Sequence, residues 1–175
     1  MAKSNVKLDY AELQKLKEQI EKVGDPKQID LFLTSCAKEL AARLLAKVIK
    51  RTPVHDYSKD RHVHFVTKDG KTVDFEADVG KTGGTLRRGW TAGKRSNAKA
   101  YADSLTVDKV GTDYVIEIIN PVEYASYVEF GHRTRNHKGW VEGQFMLTIS
   151  EDEIRKSAPR ILEKKLETYL KGCFK

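Results

Sequence analysis

The sequence predicts an α+β domain, with an antiparallel sheet packed by a long central helix and a C-terminal helix, plus an N-terminal helix and an inserted β-hairpin. Three observations carry this reading. Apolar residues recur every three or four positions toward both ends of the chain. Polar and apolar residues alternate in its middle, and glycine turns separate the alternating runs. The 175 residues suit a single domain over 1–175, and 39% hydrophobic against 33% charged residues allows one modest core beneath a charged surface.

The N-terminal helix is expected over 7–23, with Asp9 as cap and Glu12 as its partner three residues on. Leu13, Leu16, Ile20 and Val23 make a narrow apolar stripe that fits one neighbour, and Gly24 ends it. The central helix has the clearest start. Asp25 caps, Pro26 takes the first helical position where its missing N–H is harmless, and Gln28 follows three past the cap. Ile29, Phe32, Leu33, Cys36, Leu40, Leu44, Leu45, Val48 and Ile49 then form a broad apolar face. Pro53 stops this helix near Arg51-Thr52.

Strands are expected at 62–67 and 72–77 around an Asp69-Gly70 turn, inside a hairpin insertion over 55–81. Another short strand is expected at 86–90, followed by a polar loop at 94–99. A second hairpin is expected from 105–110 and 114–119 around Gly111-Thr112. Asn120-Pro121-Val122-Glu123 reads as the capped start of a short helix over 124–130, closed by Gly131. The last helix is expected to start at Ser150 with Glu153 as capping partner, and to kink or split at Pro159.

No positive case for catalysis emerges. Gly80-Lys81-Thr82 resembles the end of a phosphate-binding loop, but Phe75 stands where that pattern needs a glycine. His62 and His64 share a strand face near His55 and Asp56, yet lack the spacing of a metal site and read as solvated surface. His132 and His137 lie among cations that disfavour a metal. Asp74 and Glu76 have nothing to desolvate either one as a general acid would require, and Glu151, Asp152 and Glu153 are explained by a helix start. The expectation is no enzyme, no cofactor and no metal.

The two cysteines, Cys36 and Cys173, carry no spacing that implies a disulfide and suit a reduced protein. No run of about 18 apolar residues is present, so no membrane span is expected, and the N-terminus has no apolar signal core. The net charge is +7, from 32 basic and 25 acidic residues. That favours acidic partners or nucleic acid. Cations and tryptophan interleave twice: Arg87, Arg88, Lys94 and Arg95 with Trp90, then Arg133, Arg135 and Lys138 with Trp140. Such clusters suit binding interfaces. A basic nucleic-acid-binding domain is the alternative reading, and a metal-dependent hydrolase or nuclease using the histidine-rich insertion is a third.

Thr52-Pro53-Val54, followed by Thr82-Gly83-Gly84-Thr85-Leu86-Arg87-Arg88-Gly89-Trp90, resembles the proline-then-TGxLRRSW signature of phage tail-completion proteins. In many relatives the two parts are nearly adjacent, whereas here 55–81 intervenes. The stretch from Asn120-Pro121-Val122-Glu123-Tyr124 through Tyr127-Val128-Glu129-Phe130-Gly131-His132-Arg133-Thr134-Arg135, continuing to Gly139-Trp140 and Phe145-Met146, is similar to the minor tail component (head–tail joining, neck) family of lambdoid and related phages and prophages. The resemblance runs from about Leu31 to Leu170. It implies a non-enzymatic virion subunit, made in the host bacterial cytoplasm and forming a six-fold ring at the head-proximal end of the tail. Implied partners are other copies of itself, the tail tube protein, a head-closure or connector protein and the sheath of a contractile tail. Genomic DNA would pass through the lumen unread. The expected interface residues are Arg87, Arg88, Trp90, Arg95, Tyr127, Glu129, His132, Arg133, Arg135 and Trp140. Tyr124, Tyr127 and Glu129 are expected to set the short helix against the sheet, with Trp140, Phe145 and Met146 anchoring the return into the last helix.

Overall fold

The computed structural model describes residues 18–57, 62–76, 83–94 and 97–174. The expected cap at Asp9, the stripe residues Leu13 and Leu16, and the loop residues Lys81, Thr82 and Arg95 lie outside the described residues. Helix α1 is helical over residues 18–24, and one residue later α2 (Pro26–Arg51) begins. The Asp25 side chain accepts from Lys27 N at 3.0 Å, as the Asp-Pro start predicts. Then follow the hairpin β1 (His62–Val66) and β2 (Thr72–Glu76), the short helices α3 (Thr85–Gly89) and α4 (Ala98–Ser104), and the hairpin β3 (Asp108–Val110) and β4 (Asp113–Val115). Helix α5 (Ala125–Phe130), the hairpin β5 (Gly131–Arg133) and β6 (Trp140–Glu142), and α6 (Met146–Cys173) complete the chain.

The fold is α+β, and its antiparallel pairing is divided among three two-stranded ladders among the described residues. Helix α2 is the element on which the others gather. It packs against α4 and α6, and its buried face is Cys36, Ala41, Leu45 and Val48. Leu45 and Val48 join Leu86, Trp90, Ala102 and Met146 in one apolar cluster. Ile116 and Ile118 pack on it from the extended segment after β4.

The C-terminus of α2 is a hydrogen-bonding hub. Thr52 is fully buried and caps the helix, its N and its Oγ1 both donating to Val48 O (2.9 and 2.6 Å). Trp90 Nε1 donates to Thr52 Oγ1 at 2.8 Å, and Arg87 donates to Thr52 O through Nε (3.1 Å) and Nη2 (2.6 Å). A guanidinium at the carbonyl end of a helix complements the helix dipole, and the indole N–H keeps its partner although buried. Gly89 lets Asn120 lie close against α3, because a Cβ there would lie 2.1 Å from Asn120 Oδ1.

Ion pairs staple α2 to α6 and to the β3–β4 hairpin. Glu153 accepts from Lys47 Nζ (2.7 Å) and Arg51 Nη2 (2.8 Å), while Arg51 Nη1 donates to Ser150 Oγ at 2.5 Å. Farther along, Lys165 Nζ donates to Ser35 O at 2.6 Å and Phe32 stacks on Tyr169. The residue pairing 51 with 150 and 32 with 169 shows that the two helices run antiparallel. Asp30 binds Lys109 Nζ (2.7 Å) and the Tyr114 hydroxyl, which holds its carboxyl below the usual range, with Lys109 the larger cause.

Several expectations change. Residues 86–89 are helical in α3, with Trp90 at its C-cap, rather than a strand, since Gly84 at φ +90° opens a turn closed by Arg88 N donating to Gly84 O. The polar loop at 94–99 gives way to α4 at Ala98, capped by Asn97 Oδ1 accepting from Ala100 N at 2.8 Å. The second hairpin pairs only from Asp108↔Val115, because Leu105 still belongs to the end of α4 and leaves 116–119 no strand opposite. Asn120 does not cap α5. Its Oδ1 accepts from Val122 N and its Nδ2 donates to Leu86 O, and Tyr124 takes the cap position. Helix α6 starts at Met146 rather than Ser150, which is buried inside it. Pro159 does not split the helix. The two cysteines are free.

Two outcomes test this framework. Thr52→Val keeps the shape but strands the Trp90 N–H, and should cost about 1–3 kcal/mol in chemical denaturation. The Lys47 hydrogen bond, with Arg51 beside it, depresses the Glu153 pKa below 4.5. A depressed carboxylate contributes stability above its unfolded pKa and loses it as pH falls through the folded one. Glu153→Gln should therefore lower the melting temperature at pH 7, with the difference from wild type shrinking as pH drops below 4.5.

Candidate functional site

The site grows from the crossing of α5, the β5–β6 hairpin and the start of α6. Helix α6 has no capping side chain of its own, because Phe145 at its N-cap position is left-handed (φ +47°). The first N–H groups of a helix need acceptors, and here they come from another element. Glu129, near the end of α5, is 5% exposed and accepts from Leu147 N (2.9 Å), Thr148 N (2.9 Å) and Thr148 Oγ1 (2.8 Å). Its negative charge lies at the positive end of a 28-residue helix. Backbone bonds complete the junction, Gln144 N to Val128 O (2.8 Å) and Phe145 N to Glu129 O (3.0 Å). Gly131 turns α5 into β5 at φ +86°, where a Cβ would lie 2.4 Å from Val141 O.

Around this buried carboxylate the outward side chains are apolar. Tyr127 and Trp140 are each 59% exposed and Phe130 is 61% exposed, with Val141, Phe145 and Ile149 also open to solvent. The Tyr127 ring meets His132 edge-on at 5.8 Å. The hairpin tip carries exposed Arg133, Arg135 and Lys138. That tip is built rather than loose. Thr134 N donates to Gly139 O (3.0 Å), Gly139 N to Thr134 Oγ1 (3.0 Å), and Asn136 Oδ1 accepts from Thr134 Oγ1 (2.7 Å) and Lys138 N (3.1 Å). Exposed aromatic and apolar side chains beside cations have the composition of a binding surface.

A family model described as "Bacteriophage HK97-gp10, putative tail-component" matches residues 14–131. The chain belongs to this phage tail-component family. No curated protein and no solved structure matches it. The match takes in the Thr52 hub, α3 and the Glu129 carboxylate, and it stops at Gly131, where the aromatic hairpin begins.

In this tail component the residues singled out in the sequence divide into two sets. Tyr127, His132, Arg133, Arg135 and Trp140 are all exposed; the Tyr127 ring meets His132, and the β5–β6 register places Arg133 with Trp140 on one side of the ladder and His132 with Val141 on the other. Trp90 and Glu129 instead face inward, one bound to Thr52 and the other to the first turn of α6. Glu129 thus joins α5 to α6 rather than to a sheet, and Tyr124 and Tyr127 stay open. Met146 is fully buried as an anchor, while Trp140 and Phe145 are exposed. Arg87 is spent on Thr52 O, and Arg88 on Gly83 O (3.0 Å). Sequence reasoning passed over Phe130, Val141 and Ile149, which are exposed in the structure.

Elsewhere, an open groove of about 960 Å³ runs between α2 and α6, with Phe32, Ile154 and Ile161 inside and Arg43, Lys47, Arg160 and Lys164 at its rim. Among the described residues no group of three or more His, Cys, Asp or Glu could hold a metal. His64 meets Asp74 at 3.4 Å on the exposed hairpin. No described helix is long and apolar enough to cross a membrane.

The carboxylate junction is open to test. Glu129→Ala should destabilise the fold by about 2–3 kcal/mol, since it orphans two N–H groups and a hydroxyl. Glu129→Gln should lose less, because its amide oxygen still accepts. Equal stability of Glu129→Ala and wild type in urea titrations would refute the assignment.

Proposed function

We propose that this tail component is the subunit of a six-fold ring at the head-proximal end of the tail, where it completes the tail and joins it to the head. The observation that carries the reading is the exposed aromatic and cationic surface of α5 and β5–β6, held rigid by Glu129. Tryptophan, tyrosine and arginine are the residues that concentrate binding energy at protein interfaces. A surface fixed before binding loses little conformational entropy on docking. Ring subunits need two unlike faces that meet after a fixed rotation, and short elements on a central helix can display them. In this role the chain binds other copies of itself, the tail tube, a head-closure or connector protein and, in a contractile tail, the sheath. DNA passes through the lumen unread, and the protein acts in the virion by binding alone.

The net charge of +7 favours the second reading, a nucleic-acid-binding domain. Strongly salt-dependent DNA binding by the isolated monomer would support that reading over the ring. Arg133→Glu/Arg135→Glu separates fold from function. Both side chains are exposed, so the unfolding free energy should stay within about 0.5 kcal/mol of wild type. Particles carrying the variant should fail to join heads to tails, as scored by electron microscopy. Normal head–tail joining would overturn the proposal, as would absence of the labelled subunit from the junction.

A further inference from the structure

In the sequence, His62 and His64 lack further ligands at a fixed spacing; strand pairing supplies them. Residues i and i+2 of a strand share a face, so His62 and His64 stand on one side of β1, and Asp74 and Glu76 on one side of β2. The register sets these sides together, His62↔Glu76 and His64↔Asp74. Directly opposed residues of an antiparallel pair have Cβ atoms about 4.5–5.5 Å apart. Two histidines and two acidic residues therefore occupy four adjoining positions on one face, and Val63, Phe65, Val73 and Phe75 take the other.

His64 Nδ1 and Asp74 Oδ2 stand 3.4 Å apart, and both side chains are open to solvent. That separation is long for a hydrogen bond, which prefers about 2.7–3.2 Å. It matches the spacing of roughly 3.3 Å between two ligand atoms that each lie about 2.0–2.1 Å from one tetrahedral zinc ion. Imidazole nitrogen and carboxylate oxygen are ligands of zinc and related divalent transition metals, and two carboxylates balance the charge of one such ion. The two lysines of the hairpin, Lys68 and Lys71, lie in the turn beyond Val66↔Thr72, outside this set of four.

We infer that His62, His64, Asp74 and Glu76 form a binding site for a divalent transition-metal ion of the zinc class, which clips β1 to β2. The expectation of no metal changes for this face, because the ligands opposite the histidines are set by pairing across the ladder. Four protein ligands fill the sphere of a tetrahedral ion, as in structural rather than catalytic sites. A two-stranded hairpin is marginally stable alone in water, so a clip held by both strands fixes its shape. The site stands independently of the ring reading.

The test titrates zinc chloride into the full chain, first freed of metal with EDTA, and follows binding by isothermal titration calorimetry. One equivalent should bind per chain, and hydrogen exchange of the amides at 63–75 should slow when zinc is present. His62→Ala/His64→Ala and, separately, Asp74→Asn should each weaken binding by at least about tenfold and abolish the slowing. No hairpin residue belongs to the apolar cluster around Leu45 and Val48, so the metal-free variants should keep the wild-type unfolding midpoint. His132→Ala/His137→Ala should bind zinc as the wild type does. Adventitious binding by surface histidines only would leave Asp74→Asn equal to wild type or would depend on His132 and His137, and either result overturns the site. Zinc binding that leaves exchange in the hairpin unchanged overturns it too, as does the absence of binding at millimolar zinc.

Discussion

The start of α6 depends on a carboxylate that its own sequence does not supply. Glu129 reaches from α5 to three donors in the first turn of that helix, and Phe145 in a left-handed conformation contributes none. A buried charge is tolerable only when its lone pairs are matched, and here helix N–H groups and a hydroxyl match them. The consequence reaches in two directions. Inward, it sets Met146 into the apolar cluster around Leu45 and Val48. Outward, it fixes the hairpin whose aromatic side chains form the exposed surface. One interaction therefore couples the core to the candidate binding face, and the face inherits the rigidity of the core.

A second coupling sits at the C-terminal end of α2. The arginine and tryptophan of the Leu86-Arg87-Arg88-Gly89-Trp90 stretch look like interface residues when read alone, yet Arg87 and Trp90 converge on Thr52. The proline-then-LRR pattern is thus a fold-specifying clasp, in which a helix C-terminus receives a guanidinium and an indole. Residues 55–81 run between the two halves of this clasp. The clasp is made in space between Thr52 and α3, so the length of chain that leaves and returns between them is free to vary.

Local signals were legible and distant ones were not. The start of α2 could be read from Asp25-Pro26 because cap and donor are two residues apart, and the β1–β2 register could be read from alternation about Asp69-Gly70. Helix α4 escaped because seven residues with three alanines show no apolar stripe. Asn120-Pro121 and Ser150 have the local form of helix starts, but each is drawn elsewhere. The Asn120 amide goes to Leu86 O and Val122 N, the Ser150 hydroxyl donates to Met146 O and accepts from Arg51, and the real cap of α6 lies 18 and 19 residues upstream of its donors. Of the candidate site, the cationic tip and Trp140 were visible in the sequence. The burial of Trp90 and Glu129 was not, since it is decided by partners far along the chain.

Helix α6 also acts as a measuring rod with a chemical handle at its far end. Its 28 residues span about 42 Å from Met146, beside the aromatic surface, to Cys173. Cys36 is buried, and burial pushes its thiol up and away from the reactive thiolate form, whereas Cys173 is partly open. A maleimide fluorophore applied to the native sequence would accordingly select the tip of α6 over the core. Energy transfer between molecules tagged there would report whether, and how closely, the C-terminal ends of α6 approach each other when copies associate.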